Sequence, residues 1–446
     1  MSAGGADPSL RPPIRPIELD LGRPWPLIDG PTGGEAWGGV QILVRLHGSP
    51  VGLILAPLPQ SGIDPAELRA IVEPVVADAA AAHRLEHGCG PGAPASAAGP
   101  ATPRPACLVA RARISAEGPP LSVVIPTRNR ADRLACCVDS VLATGYHDLR
   151  VIVVDNAPSG PETQDLVRRR SDWSGRVLYV QEDRAGVARA RNRGLAVAGT
   201  ALVAFLDDDV LVDPGWAAGL VSELTGEPGV GCVTGPIVAA ELVELPQIWI
   251  EEYGGFCKGF VRRVYDCAQP PPSAPLFPYA AGRFGSGANM AFRAGDLAGA
   301  GGFDEALGGG TLSRGGEDLA AFFDVLAAGH RLVYQPSMLV RHYHHRDLAA
   351  LRRTLLGYGM GLGAYLTKAV YDRPERLLDI ARRARPGLNY LLNGSSAKNR
   401  GRSASYPWEL TAREFLGLGI GPYAYLAARY ALRRARDSER RAGAKR

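Results

Sequence analysis

The central half of this chain predicts an open, mostly parallel, doubly wound α/β sheet. Three observations carry the prediction. The segments "LSVVIP" (121–126), "RVIVVD" (150–155) and "ALVAFLD" (201–207) are short continuous apolar runs, as expected of strands covered on both faces. Helical spacing lies between them, with Leu134, Val138, Val141 and Leu142 on one stripe and Gly145 placed to end it. The resulting β-α-β-α-β order is that of a doubly wound sheet.

The flanks read differently. Residues 36–58 predict a hairpin around Gly48, Ser49 and Pro50. A helix follows, with Asp64 as N-cap, Pro65 at the first position and Glu67 completing a capping box. Residues 1–87 are therefore expected to form a small α/β unit. Residues 88–118, opening "GCGPGAPASAAGPATPRP", read as a linker poor in large apolar side chains. The sheet domain is assigned to 119–348. Residues 349–446 are expected to be a helical extension with Gly-rich and aromatic interruptions, ending in a basic tail from Arg433.

Bulk properties exclude several classes. With 46% hydrophobic and 21% charged residues, the 446-residue chain can bury a large core and is not of the disordered type. A formal charge of +5 gives no case for nucleic acid. Seven Cys without a CxxC pair support neither a disulfide framework nor a zinc site, and fit a reducing cytoplasm. No apolar leader and no spanning run of about 18 apolar residues is evident.

Chemistry is expected where the strands end. In an open parallel sheet, ligands bind beyond the carboxyl ends of the strands. Here those ends carry Pro126-Thr127-Arg128-Asn129, Asp155-Asn156 and Asp207-Asp208-Asp209. Adjacent carboxylates repel, and a hard divalent cation shared with a phosphate would offset the repulsion. A solvated strand-to-loop junction is the plain alternative. The segment "DRAGVARARNRGLAVAGT" (183–200) predicts a helix whose N-terminal N–H groups face an anion, with Arg191-Asn192 pointing to function and Arg193 to a solvated face.

In this order and spacing, "VVIPTRNR", "VIVVDNAPS", "GVARARNRGL" and "FLDDDV" resemble a family 2 glycosyltransferase of the GT-A fold. Downstream, "GSGANMAFR" (285–293), "RGGEDLAAFF" (314–323) and "LVRHYHH" (339–345) match acceptor-side segments of that family. The resemblance spans roughly residues 119–347. It implies an inverting transfer of a hexose or deoxyhexose from a nucleotide-diphosphate sugar to a hydroxyl of a glycan or lipid-linked acceptor, as in envelope polysaccharide synthesis. It implies Mg²⁺ or Mn²⁺ held by Asp209 and His342. Pro126, Thr127, Asn129 and Asp155 would bind the nucleoside, where many members have a second acid in place of Asn156. Asp207 would lie near the ribose, Arg191 near the diphosphate and Asn289 near the sugar, with Asp208 left open. Asp318 would be the base, with Glu317 as second choice and helix capping as the alternative for both. The "GGGTLSRGG" stretch (308–316) is expected to close over the site. A catalytically silent scaffold and a sugar-phosphate nucleotidyltransferase are the competing readings; the second lacks its Gly-rich loop here. The apolar helices and basic tail of 349–446 fit either a helical cap or an anionic membrane surface at the inner face of the cell membrane.

Overall fold

The computed structural model describes residues 10–31, 37–88, 104–254, 256–271 and 274–443. The N-terminal unit is a three-stranded sheet of β1 (Ile14–Asp20), β2 (Gly39–Leu46) and β3 (Ser49–Pro57), backed by α1 (Pro65–Glu86). The expected hairpin is present, but its turn is His47-Gly48, both at positive φ, and Ser49 and Pro50 already belong to β3. A two-residue turn with two positive φ angles matches strand twist, whereas the longer loop read from Ser49-Pro50 would not. β1 was not foreseen; "IRPIELD" carries Arg and Pro and lies at the sheet edge, parallel to β2. Asp64 caps α1 by accepting the N–H groups of Ala66 and Glu67. Much of the expected linker, 89–103, lies outside the described residues, and its end is a helix, α2 (Ala106–Glu117), packed near the helix Trp216–Gly226 of the next domain.

That domain runs β4 (Leu121–Thr127), α3 (Ala131–Leu142), β5 (Leu149–Asn156), α4 (Glu162–Arg169), β6 (Val177–Glu182), α5 (Val187–Ala198), β7 (Leu202–Leu206), β8 (Val210–Val212) and α6 (Trp216–Gly226). It continues β9 (Val230–Thr234), β10 (Ile237–Ala239), α7 (Leu245–Glu252), β11 (Arg263–Tyr265), β12 (Asn289–Arg293), α8 (Ala294–Gly299), α9 (Glu317–Ala327), β13 (Arg331–Tyr334) and β14 (Val340–His342). Eight strands form one sheet in the order β11-β13-β9-β12-β7-β4-β5-β6, parallel from β7 to β6. The doubly wound sheet is as expected. β6 was not foreseen: its apolar run is only four residues, Val177 to Val180, and it lies half-exposed at the sheet edge.

Alternation along the central strands builds two cores. Val123, Ile125, Val151 and Val153 face α3 and α6, while Val124, Ile152, Val154 and Phe205 face α5, α9 and the C-terminal helices. A second sheet, β10-β14-β8, sits beyond the strand ends and pairs His342 with Val210. It is this small sheet that returns the 340s to the aspartate run.

The C-terminal region is α10 (Leu348–Asp372), α11 (Arg376–Leu392) and α12 (Trp408–Gly443). The glycines read as interruptions are a helix seam instead. A Cβ at Gly359 would overlap the Glu414 carbonyl oxygen, and one at Gly417 the Leu356 carbonyl. Small residues allow α10 and α12 to approach to backbone contact. Gly316, at φ 90, docks the start of α9 on Gly361 of the same helix.

Candidate active site

The three aspartates leave buried β7 in different directions and take different partners. Asp207 accepts a hydrogen bond from Arg191 Nη2 at 3.0 Å. Asp208, 4% exposed, accepts from Thr127 Oγ1 at 2.7 Å and Arg130 Nη1 at 2.8 Å. Burial, outweighing both partners, pushes its carboxyl up to about 6. Asp209 lies 3.0 Å from Arg130 Nη1 and 3.1 Å from His342 Nε2. Burial acts to raise its pKa, but His342 and Arg130 together hold it well below the usual carboxylate range.

Behind His342 stands a relay. Its Nδ1 is 2.9 Å from His344 Nδ1, and His344 Nε2 is 2.6 Å from Glu251 Oε1. Burial keeps His344 neutral, so its Nε2–H donates to Glu251 and its Nδ1 accepts from His342 Nδ1–H. With Nδ1–H given to His344, Nε2 meets Asp209 favourably either as the second N–H donor of a charged ring or as a lone pair toward a cation held between them. Burial lowers the affinity of His342 for a proton, but Asp209 outweighs it and the net shift is upward.

These groups line a polar cavity of about 440 Å³ with Pro126, Thr127, Arg128, Arg130, Asn156 and Val187. Asn129, at φ 56, turns to Ser159 instead, exchanging two hydrogen bonds of 3.0 Å with it. Asp155 is fully buried at the end of β5. Its Oδ2 accepts from Tyr179 at 3.1 Å, its Oδ1 has no partner, and burial raises its pKa.

Three expectations need correction. Arg191 is not a free cation for a diphosphate. It is 2% exposed and spent on Asp207, on Glu317 at 2.7 Å and on the Gly287 carbonyl at 3.0 Å. The start of α5 is likewise occupied: Gly186 N–H donates to Asn156 Oδ1 at 2.8 Å and Val187 N–H to the Gly309 carbonyl at 2.9 Å. Asn192 clamps the Phe303 backbone with bonds of 2.8 and 2.9 Å. Asn289 is fully buried and takes Trp216 Nε1 while donating to the Pro236 and Met338 carbonyls, so its amide is consumed by the fold. The arginines that line the cavity are Arg128 and Arg130, on the loop after β4, with Arg130 itself paired to Asp208 and Asp209; the sequence reading quoted both but assigned them no role.

A second cavity, of about 720 Å³, opens on the other side of Asp207. Glu317 and Asp318 enter it from the first turn of α9. Asp318 is half-buried; Oδ2 accepts Gly287 N–H at 2.7 Å and Oδ1 accepts Leu319 N–H at 2.8 Å. Glu317 is buried against Arg191. Burial first, then the neighbouring Asp318, pushes its carboxyl up to about 7. Farther in, the walls are apolar, with Leu276, Tyr279, Leu366, Leu377, Ile380 and Leu388. Asp207, Gly309 and Tyr358 line both cavities and mark where they meet. The 308–316 loop is tied down there: Ser313 Oγ donates to the Ala306 carbonyl and Gly308 N–H to Gly315.

Asp209 and His342 also pass a test for a cation. Two ligands at about 2.1 Å from one octahedral ion lie about 3 Å apart, and the carboxylate oxygen and Nε2 here are 3.1 Å apart. The His344–Glu251 relay supplies the outer support that metal-binding imidazoles generally have.

Residues 122–288 match the family described as Glycosyl transferase family 2. That stretch is thus similar to a family 2 glycosyltransferase domain. Among its curated relatives, the pre-mycofactocin glycosyltransferase of Mycobacterium tuberculosis (strain CDC 1551 / Oshkosh) is 34% identical over 229 residues, covering 51% of this chain and 43% of that protein. The validoxylamine A glucosyltransferase of Streptomyces hygroscopicus subsp. jinggangensis is 38% identical over 112 residues, covering 24% and 26%. The chain thus spans less than half the length of these relatives. A solved mannosyltransferase from Pyrobaculum calidifontis, in complex with GDP-Man and Mn²⁺, aligns with a TM-score of 0.42 at 20% identity, over 72% of this chain and 75% of that one.

Proposed function

We propose that the domain transfers a hexose or deoxyhexose from a nucleoside-diphosphate sugar to an acceptor hydroxyl, with inversion, using Mg²⁺ or Mn²⁺. The observation that carries this reading is the meeting of two unlike cavities at Asp207. One is polar, with Arg128, Arg130, Asp209 and His342; the other is apolar, with Asp318 at its mouth. A donor with a charged diphosphate suits the first, and an acceptor with a hydroxyl and an apolar body suits the second. Asp155 lines neither cavity, but its buried, unpartnered oxygen next to Asn156, which does line the polar one, suits a donor N–H of a base. A divalent cation on Asp209 and His342 would supply positive charge against which the diphosphate leaves.

The chain's own groups do the rest. Asp318 is held by two backbone N–H donors with lone pairs still directed to the cavity, so it can take the acceptor proton as the acceptor oxygen bonds to the anomeric carbon. The bond from that carbon to the diphosphate breaks in the same step, and Arg130 faces the departing charge. Arg191 orients Asp207 and Glu317 and thereby holds the two cavities in register. Thermal-shift measurements with UDP, GDP, dTDP and CDP, each with and without Mn²⁺, test the donor half. One nucleotide at 100 times its dissociation constant should stabilise the fold by about 2.7 kcal/mol, and only with metal. No shift with any nucleotide, together with no sugar-nucleotide turnover, would favour a silent scaffold.

The acceptor half has a further support. On α12, Leu416, Ile420, Tyr423, Leu426 and Tyr430 form an exposed apolar stripe that leads to Arg433 and Arg434. Among the described residues no helix is long and apolar enough to cross a membrane. A stripe with a basic end instead fits the surface of an anionic bilayer at the cytoplasmic face, where a lipid-linked acceptor for envelope polysaccharide would be presented. Flotation with anionic liposomes should capture the full chain and lose it on removal of 433–446; equal capture would remove the tail from this account.

A further inference from the structure

Away from both cavities, the fold gathers three metal-ligating side chains in the N-terminal unit. His47 comes from the β2–β3 turn, His83 from the last turn of α1 and Cys107 from the first turn of α2. All three are buried, and one donor atom from each lies within 4.8 Å of the other two. Cys107 Sγ is 3.4 Å from His47 Nδ1. The His47 and His83 rings are 5.5 Å apart, centre to centre.

His83 gives an independent sign of a missing ligand. It is 8% exposed, and its Nε2 has no hydrogen-bond partner. A buried ring nitrogen without a partner is costly, and native folds seldom leave one. His87, one helical turn on, stacks its ring edge-on against His83 at 4.6 Å and stands outside the group of three, so the fourth position of a tetrahedral ion falls to water. We propose that His47, His83 and Cys107 bind a zinc ion that ties the two ends of the 88–105 connection together.

The chemistry favours zinc over the hard cations suited to Asp209. Thiolate and imidazole donors select borderline metals, and carboxylate oxygens select Mg²⁺ or Mn²⁺. Burial, with His87, His47 and nearby Arg111 and Arg84 adding to it, depresses His83 to about 4. The imidazole is therefore neutral at pH 7, with a lone pair to give. Cys107 lies in the first turn of α2, where helix N–H groups favour negative charge on sulfur. The site would be structural. It joins an α1 that packs on β3 to an α2 that packs on α6, and so fastens the N-terminal unit to the transferase domain. A ligand set drawn from positions 47, 83 and 107 closes long loops, which is where a cross-link restricts the unfolded chain most.

The test uses the full chain, stripped by chelator and titrated with Co²⁺ and then Zn²⁺. The expected result is one equivalent of Co²⁺ with a thiolate-to-cobalt charge-transfer band, displaced by one equivalent of Zn²⁺. Cys107→Ser should abolish the band, and His83→Ala should weaken binding by about 100-fold or more. Asp209→Asn should leave the band intact, which separates this site from the one at the strand ends. No band in the unmutated chain, or a band that survives both Cys107→Ser and His83→Ala, overturns the proposal. The unmutated chain decides the first outcome even if a variant fails to fold.

Discussion

The two cavities that meet at Asp207 are built from opposite materials. The polar one is made by strand ends: Thr127 and Arg130 after β4, the aspartates after β7, and His342 on β14. Charges there are shared, with Arg130 against both Asp208 and Asp209 and Asp209 also against His342, so removing one partner leaves a buried charge under-compensated. The apolar one is walled by the 276–288 and 309–316 loops and by α9 through α12; its deeper lining is apolar, with Lys258, Arg283, Arg314, Arg383, Lys398 and Glu414 also at its walls beside Glu317 and Asp318. Under the proposed function, binding a charged leaving group and receiving an acceptor would be separable tasks on this scaffold, with Arg191 gripping both sides through Asp207 and Glu317.

The strongest way to break that comparison is Asp318→Asn. Loss of a positioned base costs about 10²–10⁴-fold, so turnover should fall by that much while the metal-dependent nucleotide shift persists. Loss of both would mean that the cavities are not separable. Asp209→Asn should do the reverse, removing the metal-dependent part of the nucleotide shift, about 2.7 kcal/mol at 100 times the dissociation constant. Retention of the shift in calorimetry would take Asp209 out of the donor half.

Gly359→Ala probes the wall of the apolar cavity. Alanine gains about 1 kcal/mol in helix propensity, but overpacking costs about 1–3 kcal/mol and here the contact is with backbone. Denaturant titration should show a net loss of stability, with nucleotide binding unchanged. The smallest expected effect concerns pH. Glu317, raised to about 7, becomes protonated as pH falls through that value and releases Arg191. The kcat/KM profile should therefore lose activity on the acid side with a limb near 7, set by Glu317. Glu317→Gln should move the limb to lower pH; an unmoved limb would assign it to another group. For folding the sign is opposite. A carboxyl raised in the folded state costs stability when ionised, so Glu317 disfavours the fold above about 7 and the cost fades as pH falls.

The legible part of the site follows from short-range pattern. A run such as "ALVAFLDDDV" has to place its apolar residues inside and its carboxylates at the strand end, because desolvating three charges together is prohibitive. The same reasoning located Thr127 and Asp155. It failed at Arg191 and Asn289, whose polar groups looked available in sequence and are consumed by partners 16 to 126 residues away. Arg130 was undervalued for the converse reason, since its two acids lie 78 and 79 residues on. Sequence alone raised no expectation at His47, His83 and Cys107, which share no local motif.

By itself the sequence determined the sheet class, three of its central strands (β4, β5 and β7) and which ends carry carboxylates, since strand period and the cost of burying charge act over a few residues. Only the tertiary structure decided which of those polar groups remain available. Pairing, burial and the glycine seam between α10 and α12 depend on contacts between segments far apart in the chain, and no local pattern encodes which partner arrives first at a given charge.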